Sequence, residues 1–145
     1  MRFMVLVKGN TDYEAGRPPS PELMAAIARL AEKDSAAGRL IATGGLMPSS
    51  AGARVRAARG KVTVTDGPFA EAKELIGGYA ILEVESREAV LQMAREFMQT
   101  HIDVLGPSFE GECEVRQISS PPHGEPEPGA PSDRQRIDDT ITIAT

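Results

Sequence analysis

The chain has no tryptophan, a single cysteine, two histidines and very few aromatics, 4% of its 145 positions. Each shortage closes off a kind of chemistry. One cysteine, Cys113, forms neither an intrachain disulfide nor a cysteine-based zinc site, and its presence alone fits a reducing cytoplasm. Two histidines far apart in sequence, His101 and His123, do not assemble a metal site without several carboxylates, so no metal is expected. Phosphate-loop and dinucleotide patterns are missing as well. Gly44-Gly45 and Gly77-Gly78 lack the third glycine and the following Lys-Ser/Thr, and no nucleophile elbow is present, so no cofactor is expected.

Scarce aromatics leave no platform for stacking bases, and a net charge of −5 leaves no broad basic surface for a phosphate backbone, which excludes a nucleic-acid partner. No apolar run approaches the roughly 20 residues that span a bilayer. The opening run Met1 to Val7 is cut short by Lys8 and Gly9, too early for a signal peptide, so a soluble cytoplasmic protein with no membrane partner is expected.

What is present patterns as one α+β domain over residues 1–118, with a proline-rich tail over 119–145. Phe3 to Lys8 reads as a strand buried near the middle of a sheet. Ser20-Pro21 offers an N-cap and a proline at the first helical position, and Leu23, Met24, Ile27, Leu30 and Ala31 follow at helical spacing until Gly38. Leu40 to Thr43 makes a brief strand that Gly44-Gly45 should end, with loop through Pro48 to Gly52. Val55 and Lys61 to Thr65 flank a hairpin turn near Arg59-Gly60. Phe69 to Leu75 is long enough for one or two helical turns, which Gly77-Gly78 should stop before a strand from Tyr79 to Glu85. Ser86 caps a second long helix with Val90, Met93, Ala94 and Phe97 on one face, and Cys113 to Ile118 alternates as the last strand.

Without the hairpin the order is βαβ followed by βαβ, which predicts a ferredoxin-like βαββαβ sandwich with an extra β-hairpin and two helices over one sheet face. The other face needs cover, so a homodimer is expected. The tail holds five of the eleven prolines between Pro121 and Pro131, and carries 2 basic and 5 acidic residues against 14 and 16 before it. Its end, Thr140-Ile141-Thr142-Ile143, alternates like a strand that reaches the partner subunit.

The residues that could carry chemistry centre on Val64-Thr65-Asp66-Gly67-Pro68-Phe69. Asp breaks a strand by bonding backbone, Gly by admitting positive φ, and Pro by fixing φ and removing a donor. Asp66 is therefore a carboxylate at a strand end, either a general base or the acceptor of an Asx-type turn bonded to the Phe69 N–H. His101 falls on the apolar stripe of the second long helix, either as an inward partner for Asp66 or as a cap near the helix C-terminus. Glu71 and Lys73 diverge at i and i+2, so one can face a cleft. Arg54, Arg56, Arg59 and Lys61 form a basic cluster, either an anion site or a charged edge that resists aggregation.

The Asp66-Gly67-Pro68-Phe69 stretch resembles the signature of the DGPF-domain proteins within the YCII-related family. The resemblance implies a dimeric α+β barrel and proton transfer or elimination on a small cyclic acid or phenol-like substrate. Asp66 and His101 would then be catalytic, with Gly67, Phe69, Glu71 and Tyr79 around the ligand. This sequence departs from the family pattern in one respect, since Ser20 to Gly38 lacks the first-helix histidine. The same resemblance implies the alternative, a non-catalytic ligand-sensing or protein-interaction module with a partner related to extracytoplasmic-function sigma factors.

Overall fold

Buried Phe3 and Val5 alternate with Met4 and Leu6 along the first strand, β1 (Arg2–Lys8), and that alternation orients the sheet. In the computed structural model, which describes residues 1–70 and 74–120, β1 lies inside a four-stranded antiparallel sheet of order β2-β5-β1-β6. Its partners are β2 (Leu40–Gly45), β5 (Ile76–Glu83) and β6 (Cys113–Gln117). A short helix α1 (Thr11–Glu14) and two long helices, α2 (Pro21–Ala36) and α3 (Arg87–Leu105), complete the two βαβ halves. Between the halves stands a separate hairpin of β3 (Ala53–Ala58) and β4 (Lys61–Asp66). This is the ferredoxin-like α+β arrangement with an inserted hairpin. Among the described residues the sheet keeps two edges, β2 and β6, and closes no barrel.

Local chemistry sets the element ends. The Ser20 hydroxyl accepts from the Leu23 N–H at 3.2 Å, and the Ser86 hydroxyl from the Ala89 N–H at 3.1 Å, each satisfying one orphan donor of a long helix. The hairpin turns on Arg59 and Gly60, both at positive φ (53° and 74°), as a two-residue connection between right-twisted strands requires.

Phe3, Val5, Leu82, Val84 and Val90 form the core, with Leu40, Met93, Cys113 and Val115 packed against it. Pairing aligns the inward residues across the strands, Phe3 with Leu82 and Val5 with Ala80 and Val115. Burial pushes the half-buried Cys113 thiol up from its ordinary value, and Glu112 adds to the effect. On the opposite face Met4, Leu6, Tyr79 and Ile81 lie between ion pairs, Arg2 with Glu83 at 2.6 Å and Glu114 with Arg116 at 3.0 Å and Lys8 at 3.5 Å. Hydrogen bonding from Arg116, then from Lys8, holds the Glu114 carboxyl below its usual range.

Two expectations are corrected. Gly44-Gly45 and Gly77-Gly78 do not break strands but lie within β2 and β5, Gly44 paired with Tyr79 and Gly45 with Gly78. A Cβ on Gly44 would meet the Tyr79 ring at 3.1 Å, and one on Gly78 would meet the Gly44 carbonyl oxygen at 3.1 Å. Close approach, not a bend, is the reason for glycine there. After β1 the Asn10 side chain accepts from the Tyr13 N–H at 2.8 Å and starts α1. Phe69 and Ala70 are not helical, and residues 71–73 lie outside the described residues. So does the tail from 121 to 145, and with it the expected terminal strand.

Val90 is fully buried between α3 and the sheet. Val90→Ala is expected to cost about 2 kcal/mol, a lost-methyl transfer term plus a cavity term, read as a lower urea midpoint with unchanged slope.

Candidate functional site

Ser49 stands in a one-turn 3₁₀ segment, Ser49–Ala51, that follows β2, and it is buried. A buried serine must find partners for its hydroxyl and its amide. Ser49 finds both in Glu14 at the end of α1: the N–H donates to one carboxylate oxygen at 2.9 Å and the hydroxyl donates to the other. The same hydroxyl accepts from the Phe69 N–H at 2.9 Å. One side chain therefore ties together three segments that are remote in sequence.

The Asp-Gly-Pro turn is built onto that point. The Gly67 N–H donates to the Gly52 carbonyl at 2.8 Å, and the Gly67 Cα lies so close to the Ser49 backbone that any Cβ would overlap the Ser49 carbonyl. Gly67 does not adopt positive φ; its requirement is space. The peptide into Pro68 is cis. The Phe69 N–H, the expected donor of an Asx-type turn, is given to Ser49 and not to Asp66.

Between these segments lies a cleft of about 310 Å³, with Leu46, Met47, Phe69, Leu75 and Ile76 as apolar walls and Glu14 and Ser49 as polar members. Its size is at the lower end of small-molecule sites, and its mixture of apolar wall and few fixed polar groups is typical of them. Arg54 on β3 lies over the Phe69 ring, its guanidinium carbon 4.0 Å from the centroid. Next to Glu14, the Tyr13 hydroxyl is buried with no hydrogen-bond partner among the described residues. Burial raises the Tyr13 pKa, the Glu14 charge raises it further, and the nearby Leu46 backbone offsets part, so the phenol stays neutral.

Of the residues picked from sequence, Phe69 lines the cleft and Gly67 seats the turn on Ser49. Asp66 ends β4, paired with Ala53 and exposed, on the hairpin face that carries Val55, Val62 and Val64. His101 is buried on α3, its Nδ1 2.8 Å from the Phe97 carbonyl, edge-on to Phe97 and stacked on Phe109 with centroids 5.1 Å apart. Since a carbonyl only accepts, that nitrogen carries a proton. No hydrogen bond or ion pair joins His101 to Asp66 among the described residues; α3 packs on α2 and β6, while the hairpin stands apart. Tyr79 lies over Gly44 on the sheet face away from the helices. Glu71 and Lys73 lie outside the described residues. Sequence reading missed Tyr13, Glu14, Leu46, Met47 and Ser49. The Glu14–Ser49 contact spans 35 positions, and no local spacing announces it.

This domain, with its sandwich, inserted hairpin and turn docked beside a cleft, has a match among known families. The profile of the YCII-related domain covers residues 1–104, and the chain belongs to that family. An uncharacterized protein of Rhizobium meliloti (strain 1021) is 35% identical over 83 residues, which are 57% of this chain. The chain spans 62% of that relative's length.

The geometry separates two neighbours in the turn. Gly67→Ala is expected to cost more than about 2 kcal/mol, because the new methyl collides with backbone that cannot rotate away, while Asp66→Ala stays within about 0.5 kcal/mol. Urea unfolding of both variants checks this, and equal losses would return Asp66 to a structural role in the turn.

Proposed function

We propose that this protein binds a small, compact, partly apolar molecule in the Ser49 cleft and does so as a homodimer. The observation that carries the reading is the cleft itself: seven apolar side chains and two polar ones gathered from α1, the segment after β2, the turn after β4, and the start of β5. Both Glu14 oxygens already accept hydrogen bonds from Ser49, so within one chain the arrangement favours holding a molecule over moving its protons. An NMR titration with benzyl alcohol, a neutral probe of suitable size, tests it. Shifts should be confined to Leu46, Met47, Phe69, Leu75 and Ile76, and Leu46→Trp, which fills the cleft from an exposed position, should abolish them. Shifts spread over other surfaces, or retained in the variant, would dismiss the cleft as the site.

Exposed apolar surface supports the second copy. Val55, Val62 and Val64 are 70%, 71% and 66% exposed on one hairpin face, too much for a two-stranded ribbon that gains little stability alone. Among the described residues no layer covers the sheet face bearing Met4, Leu6, Tyr79 and Ile81, and pairing two such faces would generate the dimeric barrel. Asp66 shares the valine face, so a partner that covers it would bring Asp66 against the other protomer. That placement is what favours a second reading, proton transfer by Asp66 on a small cyclic acid bound at the dimer boundary. A sensing role tied to a sigma-factor-related partner would use the same cleft as its receptor. Sedimentation equilibrium at micromolar concentration should give twice the chain mass, as an interface above about 1,000 Å² would hold it. Val62→Asp together with Val64→Asp should shift it toward the monomer.

A further inference from the structure

We propose that a segment of this chain's own tail, residues 138–143, docks on the open edge of β3 as a third, antiparallel strand, with Ile141 opposite Val55. This pairing is independent of what the cleft binds.

Strand register shows where a strand can add. The Gly67 N–H on the Gly52 carbonyl fixes the alternation of the hairpin, so Arg54 with Thr65, Arg56 with Thr63 and Ala58 with Lys61 are the pairs that exchange hydrogen bonds. The backbone groups of Ala53, Val55 and Ala57 therefore point out of β3, and those of Val62, Val64 and Asp66 out of β4. Neither set has a partner among the described residues. Every residue of β3 is exposed, so no other described element occupies that edge. A ribbon of two strands needs a third strand or a packed layer to be stable.

The tail carries a sequence in phase with the hairpin. Thr140-Ile141-Thr142-Ile143 alternates β-branched residues as Val62-Thr63-Val64-Thr65 does in β4, so a matched strand adds isoleucines to the valine face and threonines to the other. The acids choose between the two edges. Along β4, antiparallel pairing of Ile141 with Val64 and Ile143 with Val62 would set Asp139 directly against Asp66, a like charge. Along β3, Ile141 at Val55 puts Ile143 at Ala53, where a small side chain leaves room. The same register brings Asp138 to Ala58, on the face of Arg56 and Lys61 and next to Arg59 of the turn. These cations form no ion pair among the described residues, so the acids would meet complementary charge.

Length permits pairing within one chain. The tail departs where the Ile118 N–H bonds the Arg2 carbonyl, at the start of β1, and the hairpin springs from the opposite end of the sheet, after Gly45 of β2. One sheet strand plus one hairpin strand spans on the order of 45 Å, and residues 119–136 extend over roughly 55 Å at about 3.1 Å each. A tether of that length presents its end at an effective concentration on the order of mM, ahead of any second chain. The valine face, widened by a strand, remains the surface offered to the second copy.

Amide hydrogen exchange of the full-length protein, read by NMR, provides the test. The Ala53, Val55 and Ala57 amides should exchange at least about tenfold more slowly than unpaired amides. Ile141→Pro, which removes a ladder donor, should return them to the fast rate and leave Phe3 and Val5 of the sheet protected. Fast exchange along β3 in the unaltered protein, or protection that survives Ile141→Pro, would overturn the proposal. Disulfide trapping identifies the chain that supplies the strand: Arg56→Cys with Thr140→Cys, in a Cys113→Ala background, should close within one chain on mild oxidation. Bridges formed only between chains would overturn the same-chain pairing. The exchange rates of the unaltered protein need no replacement, so a poorly folding triple variant does not decide the outcome.

Discussion

A buried serine with three hydrogen bonds holds the part of this molecule where function is proposed. Without Ser49, the end of α1, the segment after β2 and the turn after β4 have no common attachment, since the hairpin makes few contacts with the sheet. A neutral hydroxyl that both donates and accepts can join an anionic carboxylate to a backbone amide without burying a charge alone. Glu14 supplies the negative end, and the Phe69 amide supplies a donor that a turn after proline leaves free. The crowding of Gly67 on the Ser49 backbone belongs to the same constraint. The turn can reach the hydroxyl only if its own backbone comes within contact of the serine.

The sheet and the two long helices were legible because their signals are local. Ser20-Pro21 and Ser86 announce helix starts through a side-chain oxygen three residues from the amide it serves, and Phe3-Met4-Val5-Leu6 alternates with the period of a strand. The glycine pairs misled for an equally physical reason. A glycine that permits a turn and a glycine that permits close approach look the same in a sequence, and only the facing Tyr79 ring distinguishes them. The Asp-Gly-Pro turn was recognised while its purpose was not, because its partner Ser49 sits twenty residues from Phe69 in the chain. Glu14 and Tyr13 left no trace at all. His101 was placed inward correctly by helical phase, yet its neighbours proved to be Phe97 and Phe109 rather than Asp66.

Charge is distributed with a similar economy. Around the sheet face away from the helices, Arg2, Lys8 and Arg116 pair with Glu83, Glu74 and Glu114, leaving an apolar centre with a balanced rim. Such exposed pairs contribute little to stability, but they leave that face without a net field that would repel an identical face. On the hairpin the charges are not paired but sorted, cations to one side and Asp66 to the other. Two strands of six residues thereby present an apolar surface and a donor-rich one back to back, a segregation that the strict two-residue period makes inevitable once the register is set.

The hairpin contributes none of the buried core side chains, and it is inserted between the two βαβ halves rather than within either. Its residues can therefore change without a penalty in the packing that folds the domain, and a hairpin closes on local contacts alone. Drift in Arg54, Arg56 or the valines alters what the cleft or a neighbouring chain meets, while the sheet beneath stays as it was. An ancestral sandwich of this kind could acquire new ligands or new pairings by substitution in a dozen positions, with its foldability carried by the rest.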